Sequence, residues 1–200
     1  MSLGPFWVND SPANPVTLDL RGQADLTAYT SATVELKNAA GVVVALIGPV
    51  AIVDGKVTFV LPTNPFTTGG LFKLVPTVTD GDHRLRLRAE TVVVQEDNGW
   101  HTVTSAREEW KTQLNDLQLF HLLEVSRLQC EEYAPELAEG EPVPVNYRQA
   151  QLLQARESAN AFRVDPSGNA GSESYSYSPH PMSWKVQAYL RPTPRIPAVG

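Results

Sequence analysis

Apolar positions recur every second residue up to about Gln95 and every third or fourth residue beyond Trp100, so the chain changes period near its middle. In the first half, alternating runs bounded by turn residues predict strands at residues 16–21, 32–38, 42–47, 56–61, 71–79 and 83–94, with a short extra strand at 50–53. Asn38 to Gly41, Asp54-Gly55 and Asp80 to Asp82 supply the residue types that tolerate tight turns. Within "HRLRLR" the strict alternation sends Leu85 and Leu87 to a core and Arg84, Arg86 and Arg88 outward. Seven short strands in this space predict an antiparallel immunoglobulin-like β-sandwich over residues 1–96, with Trp7 covering one end.

The second half reads as helices. "TVTSAREEW" predicts a short helix ending at Trp110, with Thr104 as N-cap or Ser105 paired to Glu108 in a capping box. A longer helix is expected from Asp116 to Tyr133, capped by Asn115 or Asp116, with Leu119, Leu122, Leu123, Ser126, Cys130 and Tyr133 on one face and Pro135 ending it. After the loop "AEGEPVP", "NYRQAQLLQARESANAF" forms another, presenting Leu152, Ala155, Ala159 and Phe162. The fold expected is therefore α+β in two domains: the sandwich, then a small α-helical bundle over residues 97–200 with an extended C-terminal arm from about residue 178. A Gly/Ser turn and a short strand are expected before that arm.

Charge adds an asymmetry to this layout. The net charge is −6, which disfavours a protein gripping nucleic acid over a broad face. Nine acidic residues lie between Glu108 and Glu141 against Lys111 and Arg127, whereas the last eighteen residues carry Lys185, Arg191 and Arg195 and no acid. The arm also holds Pro179, Pro181, Pro192, Pro194 and Pro197, which lower the entropy lost when an extended segment docks. Trp184 and Tyr189 are its proposed anchors, and Arg191 and Arg195 its carboxylate clamps, with Lys185, Val186 and Leu190 beside them. Folding of this tail back onto its own bundle is the competing expectation.

Catalytic signatures are sparse. His83, His101, His121 and His180 are scattered with no HExxH or paired spacing, and no GxSxG, GxxxxGK[ST] or GxGxxG occurs. Glu108 and Glu109, like Glu131 and Glu132, are adjacent and diverge on a helix, and His121 has no evident orienting carboxylate. Neither an enzyme nor a metal or cofactor is expected. A lone cysteine, Cys130, predicts a buried small hydrophobe. No secretory leader and no apolar run of about 20 residues is visible, so the chain is expected to be cytosolic when made, with no membrane association.

Three phrases follow one another in the second half: "C-x-x-YAP-x-L" at residues 130–137, "Y-[RK]-x-AQ-x-x-QA" at 147–155, and "P-x-x-W-x-V-x-x-x-LRP" at 181–192. In that order and spacing they resemble the head-to-tail connector (adaptor) proteins of long-tailed bacteriophages. The second helix departs from the family pattern, carrying Ser158 and Asn160 where many such sequences have a tryptophan. The first half, around "ADLTAYTSATVELKNAAG", is similar to the immunoglobulin-type domain of phage baseplate upper proteins.

The resemblance implies a structural virion protein at the neck. It implies a homo-oligomeric ring of about twelve copies beneath the portal protein, with a stopper or tail-completion protein below and genomic DNA passing through unbound. Glu131, Glu132, Glu136, Glu139 and Glu141 are candidates for an acidic channel lining that repels the DNA backbone. The alternative is a tail or baseplate protein that uses the sandwich to bind host-surface carbohydrate.

Overall fold

The computed structural model describes residues 3–163 and 180–192. The chain divides into two compact units, Met1–Glu96 and Asp97–Gly200. The first is β-rich and the second carries the helices.

Eight strands build the first unit: β1 (Leu3–Trp7), β2 (Val16–Asp19), β3 (Ser31–Lys37), β4 (Val43–Val53), β5 (Lys56–Phe59), β6 (Gly70–Asp80), β7 (His83–Arg86) and β8 (Glu90–Gln95). They hydrogen-bond in the order β1-β8-β6-β3-β4-β5-β2, with β7 on β6. Alternation decides which face is buried. Ala32, Val34 and Leu36 of β3 are fully buried and pack in one cluster with Val16, Leu18, Val57, Phe59, Phe72, Leu74, Val92 and Val94. Phe66 stands at the centre of this cluster, its ring centroid 5.2 Å from those of both Phe6 and Phe72.

Three features differ from the alternation pattern. Residues 42–47 and 50–53 are one strand, because Gly48 and Pro49 form a bulge opposite Thr33 while pairing resumes at Val50. Gly48 has φ +112°, and a Cβ there would stand 2.8 Å from the Ala32 carbonyl, so only glycine fits. The run 83–94 is two strands, since β8 pairs with β6 at Gly70–Leu74 and β7 pairs with it at Thr77–Asp80. Pro76 stands at this change of partner without an N–H, and its carbonyl accepts from Leu87 N–H at 2.9 Å. The third is β1, which adds beside β8 in parallel and places Trp7 in a strand, so the sheet is not wholly antiparallel. The turn expected at 54–55 forms, with Asp54 and Gly55 both at positive φ, as a tight hairpin requires.

The second unit contains α1 (Val103–Glu109), α2 (Asp116–Tyr133), α3 (Val145–Arg163) and α4 (Trp184–Leu190). Thr102 caps α1, two or three residues earlier than the Thr104 or Ser105 expected: its hydroxyl accepts from Ser105 N–H, and the Ser105 hydroxyl accepts from Thr102 N–H at 3.0 Å. Asn115 caps α2 reciprocally with Gln118. Leu119, Leu122, Leu123, Ser126 and Cys130 of α2 are buried, as are Leu152, Ala155 and Ala159 of α3. The Phe162 side chain and the strand expected before the arm lie outside the described residues.

The expected extended arm is corrected at residues 184–190, which are helical. Ser183 starts the helix by accepting from Val186 N–H, and Val186 and Leu190, four residues apart, turn one face inward. Burying those two side chains outweighs leaving the segment extended in water.

Candidate functional site

The residues marked by the three sequence phrases converge in the second unit. Val186 and Leu190 of α4 pack with Trp100, Cys130, Ala134, Tyr147 and Ala150 in one hydrophobic cluster. The Tyr147 hydroxyl donates to the Pro135 carbonyl at 3.3 Å, joining the first phrase to the second. The Asn146 side-chain amide donates to the Tyr189 carbonyl at 2.6 Å, and Ser183 Oγ donates to Glu157 at 3.0 Å. Arg191 Nε donates to the Tyr133 carbonyl at 2.8 Å while its guanidinium lies 4.8 Å from the Tyr133 ring centroid.

Two glutamines that periodicity did not single out hold this arrangement together. Gln151 is fully buried, accepts from His101 N–H at 2.8 Å and donates to the Leu123 carbonyl at 3.1 Å, tying three segments to one side chain. Gln154, also fully buried, donates to the His180 carbonyl at 2.7 Å and to Gln129 at 3.1 Å. Polar residues repeating beside alanines within "QAQLLQA" were the available signal, because a buried amide needs partners that an exposed one takes from water.

The seven proposed arm residues therefore divide. Val186 and Leu190 are spent on their own core, and Arg191 is engaged with Tyr133. Trp184 and Tyr189 are 73% and 42% exposed and lie with Lys185 and Ala188 on the opposite side of α4, the Lys185 ammonium 6.0 Å from the Trp184 ring centroid. Arg195 lies outside the described residues, as do Pro179, Pro194 and Pro197.

The five acidic candidates cluster around the end of α2. All are exposed, but they differ in what holds them. Glu131 pairs with Arg127 at 2.8 Å, and Glu141 accepts from Ala138 N–H at 3.1 Å to close a turn. Glu132, Glu136 and Glu139 make no ion pair among the described residues. Glu131 and Glu136 also border an open hollow of about 210 Å³ whose walls include Trp100, Pro135 and Tyr147. No basic residue lies in the last turn of α2, so Arg191, arriving from α4, is the cation on its terminal carbonyls.

His101 Nδ1 is 3.1 Å from Ser105 Oγ and Nε2 is 3.9 Å from Glu109, a Ser-His-Glu grouping by type. Its side chain is only 1% exposed, however, and Ser105 serves the α1 cap. Burial, then the Arg148 charge, holds the His101 imidazole below its ordinary pKa, and burial does the same for His121. Among the described residues, no group of three or more His, Cys, Asp and Glu side chains is placed to hold a metal ion, and no helix is long and apolar enough to cross a membrane.

No family model and no curated protein matches this chain. Among solved structures, the crystal structure of CopC from Methylosinus trichosporium OB3b is similar over 48% of this chain and 88% of its own, at 16% identity and a TM-score of 0.29.

Proposed function

We propose that this chain is a structural virion protein, a head-to-tail adaptor that sits beneath the portal of a long-tailed phage and links it to the stopper or tail. In this reading the first unit is an immunoglobulin-like sandwich and the second a small helical bundle. The observation that carries it is the meeting of the three phrases: Tyr147 on Pro135, Gln154 on His180 and Arg191 on Tyr133 bind them into one cluster. Such mutual hydrogen bonding gives a physical reason for the phrases to occur together and in order.

Trp184, Lys185 and Tyr189 form the docking face on this reading, because α4 turns them outward while Val186 and Leu190 fix the helix. A tryptophan that exposed adds nothing to its own core and offers a partner a large apolar anchor. Glu132, Glu136 and Glu139 serve as channel-facing acids in the ring, where their charge repels phosphate and lets DNA pass.

The test is reconstitution with purified portal. The expected outcome is a ring of this chain on portal particles by electron microscopy, and its loss with Trp184→Ala and Tyr189→Ala together. No binding to portal, with saturable binding of the whole chain to host glycans on an array, would replace this reading with the tail or baseplate one.

A further inference from the structure

We propose that residues 193–200 dock on the chain's own hollow at the end of α2, with Arg195 facing the Glu131 and Glu136 carboxylates that border it and with Ile196 and Pro197 against its apolar walls. The inference concerns the second unit alone and does not depend on the neck reading. Trp100, Pro135, Leu137 and Tyr147 form those walls, the rings of Trp100 and Tyr147 stacking at 6.3 Å between centroids. At about 210 Å³ the hollow is smaller than the roughly 300–1,000 Å³ of small-molecule pockets, so it suits the side chains of a short peptide segment.

The chain leaves α4 beside this hollow. Arg191 Nε donates to the carbonyl of Tyr133, two residues before Pro135, and Asn146, next to Tyr147, donates to the carbonyl of Tyr189. Leu190 packs in the same cluster as Trp100 and Tyr147. The end of α4 is thus fastened to both segments that wall the hollow. Arg195 follows Pro192 by three residues, a span of about 10 Å in an extended chain. So short a tether sets the local concentration of the segment at about millimolar or above, which a free partner in solution does not reach.

Composition matches the segment to the hollow. Residues 193–200 carry one ionisable side chain, Arg195, with Ile196, Pro197 and Val199 after it. Both carboxylates at the hollow are exposed, and Arg127 answers only Glu131, whereas Glu136 makes no ion pair among the described residues. A guanidinium there gains a carboxylate partner, and the apolar side chains beside it cover aromatic surface. Pro194 and Pro197 lower the entropy lost on docking. Glu132 and Glu139 do not line the hollow and keep the charge proposed for the channel.

Amide and indole NMR spectra of the full chain, compared with those of a chain shortened to end at Pro192, test this. Shortening is expected to shift the Trp100 indole signal and the amides of residues 134–137 while leaving those of the first unit in place. The R195E variant should produce the same shifts at full length. E136K/R195E should recover part of them, because the pair is restored with its signs exchanged. Should that variant lose its fold, raised salt replaces it and should move the full chain's signals toward those of the shortened one. Signals that stay fixed on shortening, shifts that R195E does not reproduce, or a failure of both the paired variant and salt to act as stated overturns the proposal. Shifts that grow only as the full chain is concentrated assign the segment to the hollow of a second copy and overturn docking on its own.

Discussion

Gln154 on α3 donates a hydrogen bond to the backbone carbonyl of His180 at 2.7 Å, so a buried amide fastens the segment that leads into α4. The same amide donates to Gln129 on α2, whose own side chain also reaches the His180 carbonyl at 3.0 Å. A carbonyl bound from two helices fixes where α4 begins, and through it the direction in which Trp184 points.

Replacing Gln154 with methionine keeps the volume and removes the donor. Gln129 keeps its bond to His180, so two buried hydrogen bonds are lost and not the whole anchor. We expect a stability loss of about 1–3 kcal/mol in denaturant titrations. Amide exchange should quicken in residues 184–190 more than in α2. Equal acceleration throughout the unit would mean that Gln154 acts on general packing and not on the placement of α4.

Leu190 and Trp184 sit on opposite sides of one short helix and should fail in opposite ways. Leu190 is 1% exposed, so Leu190→Ala removes core volume and should cost about 2–5 kcal/mol. Trp184→Ala should leave the unfolding midpoint nearly unchanged, and its effect should show only in binding to portal. A large stability loss from Trp184→Ala would remove the physical basis for calling that face a docking surface.

How far the sequence could be read follows from which interactions leave a periodic trace. Strands at 16–19, 31–37, 56–59 and 70–80 and the helices over 116–133 and 145–163 were legible because each buries one face through many residues. The parallel strand at Leu3–Trp7 was not, since its pairing with β8 joins residues far apart in the chain and it alternates poorly. Pro76 and Gly48 redirect strands through one missing N–H and one close backbone approach, which no hydrophobic count detects. The site was half legible. Exposed Trp184 and Tyr189 were nameable from type, but α4 itself was hidden: seven residues with two apolar contacts make too short a pattern, and prolines around it suggest extension. Arg191 looked free for a partner because its actual acceptor, the Tyr133 carbonyl, is a backbone atom that sequence cannot display.

Acid should weaken the helical unit before it weakens the sheet. The folded chain holds His101 and His121 below their usual 6.5, so the unfolded chain takes protons first as pH falls. Their contribution is complete above 6.5 and is lost as pH drops from there toward the depressed values. In the first unit, Asp19, held low mainly by hydrogen bonding from Arg21, and Glu35, held low mainly by Lys37, behave likewise only below the ordinary carboxylate values of 3.8 and 4.5. Far-UV circular dichroism during melting should therefore show the helical signal losing stability as pH falls below 6.5. The H101N/H121N variant should start lower and give a flatter profile there. An unchanged slope in that variant would assign the acid sensitivity elsewhere.

Cys130 gives a direct measure of opening in the second unit. It is the single cysteine of the chain, its side chain is fully buried, and burial followed by the Glu131 charge pushes the thiol up to about 12. Two barriers thus protect it, absence of thiolate and absence of access. Native protein should resist iodoacetamide near pH 8 and react in denaturant, so slow labelling reports the fraction of molecules in which this cluster is open. Leu190 belongs to the same cluster, and a loss of about 2 kcal/mol on Leu190→Ala should speed labelling about thirtyfold when closing outpaces reaction. Leu46→Thr in the first unit should leave the rate unchanged. Rapid labelling of the unaltered protein would show instead that the α2 end opens readily, and the docking face proposed on α4 would then lack the rigid support that Leu190 and Val186 are argued to give it.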